Sequence, residues 1–146
     1  GKIPSNLLNK KPMNYWLVKQ EPESYSFDDF QKEGKTDWTG VRNYTARNNL
    51  KAMQTGDKVF YYHSGGEKAV VGMAKVTKTF FPDPTADDDA WVAVELEAGK
   101  PVKNPVTLAA IKANPKLANM QLVRLSRLSV TPVTKEEFDE ITAMSK

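Results

Sequence analysis

The chain has no cysteine and a single histidine, His63. The first absence removes a disulfide framework, an iron–sulfur cluster and a thiol nucleophile, and it suits a reducing interior. The second argues against a histidine-rich metal site. No run of about 18 apolar residues occurs, so no membrane span is expected, and the amino end lacks the continuous apolar stretch of a signal peptide. The expected setting is intracellular, cytoplasmic in a bacterium and nuclear in a eukaryote. A large excess of one charge is also missing: 21 Lys and Arg against 18 Asp and Glu leave +3, which permits polyanion binding without requiring it. Phosphate-loop, dinucleotide-loop and nucleophile-elbow patterns are absent. The Asp87 to Asp89 run lacks the glycine and closing glutamate of a calcium loop and reads as a solvated loop.

What remains is a chain of 146 residues, 40% hydrophobic and 27% charged, long enough for one domain with a real core. Gly1 to Pro12 is polar and Lys-rich and is expected to be a flexible arm, with residues 13–146 as the domain. Tyr15 to Gln20 alternates as a first strand. Ser26 caps a short helix from Phe27 to about Lys32 that stops at Gly34. Lys58 to Ser64 and Ala69 to Phe80 form a hairpin around Gly65 and Gly66, with a possible bulge at Gly72. Trp91 to Glu97 reads as a strand, and Pro101 and Pro105 lead to Thr107, the cap of a helix from Leu108 to Ala113. Leu122 to Val130 reads as the last strand, and Thr134 with Glu137 opens the final helix as a capping box. Five or six short strands with helices between them, and no βαβ rhythm, predict an α+β domain on a small, mostly antiparallel barrel. The first strand is expected to be central and to pair with strands much later in the chain.

Chemically useful side chains are densest from Trp38 to Asn49, WTGVRNYTARNN. Asn43 is a good N-cap for a helix from Tyr44 to about Met53. Ala46, Leu50 and Met53 make its buried stripe, which Asn43 and Arg47 continue as polar residues toward the cap. With Trp38 upstream, the helix start offers an aromatic wall, a guanidinium, an amide and free backbone donors, a set that suits a nucleobase. Plainer readings compete. Trp38 can be a core residue, although Thr36, Asp37, Thr39 and Gly40 around it suggest a polar turn. Arg47 can cover the helix with its stem, and His63 can be structural. Trp16 and Trp91 read as packing residues inside strands. Arg124 and Arg127, three apart, make either a phosphate clamp on one helical turn or a solvated face. The best catalytic group is Lys19, Glu21, His63 and Ser64, gathered at one barrel mouth, yet nothing in the spacing demands it.

The strings NYWLVKQEP, WTGVRNYTARNNL, GDKVFYYHS, VVGMAKV, FPDPTA and LVRLSRLSVTPVTKEEFDEI, in this order from Asn14 to Ile141, resemble the EVE domain of the PUA-like superfamily. The resemblance implies a PUA-like, mixed but mostly antiparallel β-pseudobarrel of five or six strands with inserted helices, related to that of YTH readers. It also implies a cleft for a flipped, modified cytosine or adenine of DNA or RNA. In that comparison Trp38 matches the stacking aromatic, and Lys19, Gln20 and Glu21 match the strand end that reaches the base edge. Asn43 and Arg47 match polar helix positions, and Tyr62, His63 and Ser64 match the strand end beside the cleft. Phe81 would be a second wall, and Arg42, Arg124 and Arg127 would hold phosphates. Family members often carry serine where Gln20 stands, so a larger amide enters the pocket rim here. The expected function is a non-catalytic reader of modified bases that needs no cofactor. The alternatives are a small hydrolase or nuclease acting through Lys19, Glu21 or His63, and a protein-interaction domain.

Overall fold

A computed structural model describes residues 13–146. The expected arm, Gly1 to Pro12, lies outside the described residues. Six strands form one sheet in the order β2-β5-β4-β3-β1-β6. β1 (Tyr15–Gln20) runs parallel to β3 (Lys58–His63) and antiparallel to β6 (Val130–Val133). It therefore lies inside the sheet between two strands far along the chain, as its sequence position demands. The other pairings, β3 with β4 (Ala69–Pro82), β4 with β5 (Val92–Thr107) and β5 with β2 (Lys35–Trp38), are antiparallel.

The sheet carries a core on each face. Trp16 and Val18 of β1, with Val59 and Tyr61 of β3, enter the first core, while Leu17, Phe60 and Tyr62 enter the second. Both strands are near-continuous apolar runs because neither face meets water. Three helices cover the first face: α1 (Pro22–Tyr25), α2 (Phe27–Glu33) and α3 (Tyr44–Ala52). α2 contributes Phe27 and Phe30, and α3 contributes Ala46 and Leu50, with Met53 at its C-cap. On the second face α4 (Leu108–Ala113), α5 (Gln121–Arg124) and α6 (Lys135–Met144) bury Ile111, Leu122, Phe138 and Ile141. The predicted caps form: Ser26, Asn43, Thr107 and Thr134 each accept a first-turn N–H through the side chain. No helix among the described residues is long and apolar enough to cross a membrane.

Four local expectations fail, each for a physical reason. Thr36 to Trp38 is strand rather than turn; β2 is a four-residue edge strand, and its polar residues are those an edge leaves in solvent. Pro22 starts a helix instead of only ending a strand, since its missing N–H would have been unpaired there anyway. β5 runs through Pro101 and Pro105 to Thr107 because Pro101 meets Gly72 where the β4–β5 register shifts, and a bulge needs no ladder donor. The expected strand from Leu122 to Val130 is instead α5, a loop and then β6, whose Pro132 is tolerated on an edge.

Candidate functional site

The C-terminal end of β1 is where the polar groups collect. Period-two alternation sends Gln20 to the first face with Val18, and Lys19 to the second face with Leu17. Gln20 lines a recess of about 160 Å³ with Tyr25, Thr36, Asp37, Trp38 and Thr39. Its Oε1 accepts the Glu21 N–H at 3.0 Å, which leaves Nε2 to donate elsewhere. The Tyr25 hydroxyl is buried, and burial first, then the nearby Glu33 carboxylate, push its pKa up to about 12. Trp38 is only 6% exposed and meets Tyr61 edge-on, centroids 5.7 Å apart at 88°. It is a core residue whose margin walls the recess, not the freely exposed stacking plate its polar neighbours suggested.

The recess is braced from below by β3. The Tyr61 hydroxyl donates to the Tyr25 carbonyl, and His63 Nε2 accepts the Phe27 N–H at 3.1 Å, one of the donors that the start of α2 leaves unpaired. His63 therefore acts as a neutral acceptor, and its burial lowers its pKa in keeping with that role. These two side chains fix the Tyr25 to Phe27 segment and so the position of the Tyr25 hydroxyl.

The remaining expected site residues fall elsewhere. Lys19, Tyr62 and Ser64 line a second, smaller recess of about 100 Å³ with Lys68 and Ser126. Tyr62 is buried under the Lys19 ammonium, which lies 5.9 Å from its ring centre. Burial and then the Lys68 charge lower the Lys19 pKa. Glu21 is exposed at the N-cap of α1 and lines neither recess. Phe81 lines a separate depression with Asp37, Thr55 and Thr77, so it does not face Trp38 as a second wall. Asn43, Arg124 and Arg127 line a groove of about 390 Å³ with Thr45, Leu125, Ser126 and Leu128. Arg124 ends α5 and Arg127 lies beyond it, so they share a groove rather than a helical turn.

Arg42 and Arg47 are held by protein groups. The Arg42 guanidinium pairs with Asp83 at 2.9 Å and also reaches Thr85 and the Val41 carbonyl. Arg47 donates to Asn48 and to the Ala90 carbonyl. Between them stands a stack that the sequence did not reveal. Arg42 lies over Trp91 at 5.7 Å, Trp91 stacks on Tyr44 at 5.0 Å, and Arg47 lies over Tyr44 at 4.9 Å. Trp91 thus precedes β5 and packs outward on Tyr44, which is 63% exposed. Tyr25, Asp37 and Thr39 were also missed as recess residues. Tyr25 sits in a helix that was not expected, and Asp37 and Thr39 flank the tryptophan that had drawn attention. Among the described residues no group of three or more His, Asp or Glu side chains is placed to hold a metal ion.

This arrangement has known counterparts. Residues 14–144 match the EVE domain family. Human thymocyte nuclear protein 1 is 33% identical to the chain over 94% of it and 76% of the relative. A solved protein of Agrobacterium tumefaciens superimposes with a TM-score of 0.89 at 47% identity, covering 90% of this chain and 92% of the other. The human THYN1 protein, solved in complex with 5-methylcytosine-containing DNA, superimposes with a TM-score of 0.85 at 32% identity, covering 91% of this chain and 98% of the other. With nearly the whole described chain matched in sequence and in fold, this protein belongs to the EVE domain family.

Proposed function

We propose that residues 13–146 act as one non-catalytic module that reads a modified nucleobase in DNA or RNA, and that modified cytosine is the base its recess suits best. The observation that carries this reading is the recess of about 160 Å³ beside Trp38, lined also by Gln20, Tyr25, Thr36 and Thr39, with Gln20 Nε2 left to donate. A cavity of about 150 Å³ is known to hold a single six-membered aromatic ring, so the volume favours a pyrimidine over a purine. Cytosine presents an exocyclic amine and two ring-edge acceptors. Gln20 Nε2 donates to a ring-edge acceptor, and the Thr36 or Thr39 hydroxyl accepts from the amine. A methyl on the base adds apolar contact with the recess wall, a discrimination of roughly 1–3 kcal/mol.

The complex of the human THYN1 protein with 5-methylcytosine-containing DNA supports the same reading. A nucleic-acid partner implies an intracellular setting, and base recognition of this kind uses no cofactor. The hydrolase alternative draws no support from the geometry: Lys19 and His63 leave the sheet on opposite faces, His63 Nε2 is engaged by Phe27, and Glu21 stands apart from both.

The test is a binding series on one oligonucleotide carrying cytosine, 5-methylcytosine or thymine at a single position, with wild type and Gln20→Ala. Wild type is expected to prefer 5-methylcytosine and to leave every oligonucleotide unchanged. Gln20→Ala is expected to bind the 5-methylcytosine oligonucleotide about tenfold more weakly, one bond to the base being lost, with its stability little changed, because Gln20 Oε1 bonds only the neighbouring Glu21 N–H. Wild type binding all three alike, or turning any of them over, would overturn the reading.

A further inference from the structure

We propose that Leu125 is a wedge that enters duplex DNA in the place vacated by the base drawn into the recess; this rests on the reader function above. Among the described residues Leu125 is one of few large apolar side chains left in water, 44% exposed. A single exposed leucine is ordinary, but its setting is not. It stands between Arg124 and Arg127, and all three line the 390 Å³ groove that faces Asn43 and Thr45 at the start of α3. Taking a base out of a duplex leaves an unfilled gap and two unstacked neighbours. Proteins that kink or open duplexes fill such gaps with apolar side chains and hold the flanking phosphates with cations.

The leucine is presented rigidly. Its N–H donates to the Gln121 carbonyl at 2.7 Å, and its carbonyl accepts the Leu128 N–H at 3.0 Å. Arg124 Nε donates to the Asn119 carbonyl at 2.9 Å, which steadies one flanking cation. The loop is also buckled to the recess: Lys19 Nζ donates to the Ser126 carbonyl at 2.8 Å, and the Lys19 N–H donates to the Ser129 carbonyl at 2.9 Å. The residue after Lys19 is Gln20, on the recess rim. From the other side, only three residues separate Thr39 in the recess from Asn43 in the groove, at most about 14 Å of chain, or roughly four base-pair steps.

Other exposed aromatics fit the role less well. Tyr44 has Trp91 and Arg47 stacked on its ring, and the Phe80 ring lies under the Lys51 ammonium at 5.4 Å.

The experiment compares wild type, Leu125→Ala and Leu125→Met on one sequence with 5-methylcytosine at a single site, as a duplex and as the lone modified strand. 2-Aminopurine beside the modified base reports unstacking in the duplex. Leu125→Ala is expected to bind the duplex about tenfold more weakly and to lose most of the 2-aminopurine signal. It should bind the single strand like wild type, because no gap has to be filled there. Leu125→Met should keep the signal. Equal losses on duplex and single strand, or no loss on either, overturn the wedge. Wild type that ignores the methyl group in both formats would instead remove the reader function itself.

Discussion

The Tyr61 hydroxyl, deep in the first core, donates to the main-chain carbonyl of Tyr25, a residue that lines the recess. One tyrosine thus positions the other. Tyr61→Phe keeps the ring but leaves the Tyr25 carbonyl unpaired, and is expected to cost about 1–3 kcal/mol in a urea titration. It should also weaken binding to a 5-methylcytosine oligonucleotide several-fold, whereas a purely structural bond would leave the affinity of the folded fraction untouched.

Gly72 is set by packing rather than by backbone conformation. A Cβ placed there would lie 2.3 Å from the Phe27 ring, which sits in the first core at the start of α2. Gly72→Ala must push that ring off its seat against Tyr61, where the centroids are 5.4 Å apart. The expected loss is about 2–3 kcal/mol, read as a lower denaturation midpoint. A pairing with Phe27→Leu, which frees the space, should recover part of it.

Asp83 anchors the segment after Trp38 to the β4–β5 loop. Burial by itself would raise its pKa, but the Gly40 N–H, the Thr85 hydroxyl and N–H, and the Arg42 guanidinium outweigh that and bring it to about 2. The folded pKa lies below the ordinary 3.8, so this stabilisation is complete above about pH 4 and is lost as pH falls through 2. The amount is on the order of 2 kcal/mol. Urea titrations at pH 7, 4 and 2.5 should show wild type losing more stability at the last step than Asp83→Asn.

His63 gives a second pH window. Its folded pKa is lowered from 6.5, first by burial, so its contribution is present above pH 6.5 and is lost as pH falls through the lowered value. Protonation turns the Nε2 acceptor of the Phe27 N–H into a donor. Wild type should lose stability on going from pH 7 to 5, and His63→Gln should show a flatter profile over that range.

Salt dependence separates the groove arginines from the anchored one. Arg124 and Arg127 line the open groove and neither forms an ion pair among the described residues, while Arg42 is paired with Asp83. Arg127→Ala should reduce the slope of log affinity against log salt by about one, uniformly across sequences. Arg42→Ala should instead lower stability.

Four helices were legible because their signals are local: Asn43, Ser26, Thr107 and Thr134 each cap the turn that follows them, whatever lies elsewhere in the chain, whereas α1 and α5 have no side-chain cap and were not. Gln20 and Trp38, which the sequence placed in one candidate site, line the same recess. Lys19 and Tyr62 were misgrouped with them because neighbours along a strand point to opposite faces, and only a sheet covered on both sides gives each face its own recess. Tyr25 was invisible for a related reason: a tyrosine in a polar stretch signals nothing until β3 delivers the hydroxyl of Tyr61 to its carbonyl.

By itself the order of residues determined the mixed class, the hairpin at Gly65 and Gly66, the capped helices and the family. Those rest on turn chemistry, capping and apolar period, which act over a few residues. Tertiary structure alone decided that β2 is an edge strand carrying Trp38 into the core, that His63 braces α2 instead of lining the recess, and that Leu125 stands exposed between two arginines. Each of these depends on which distant strand or loop arrives alongside, and that is settled only when burying both faces of the sheet has folded the chain.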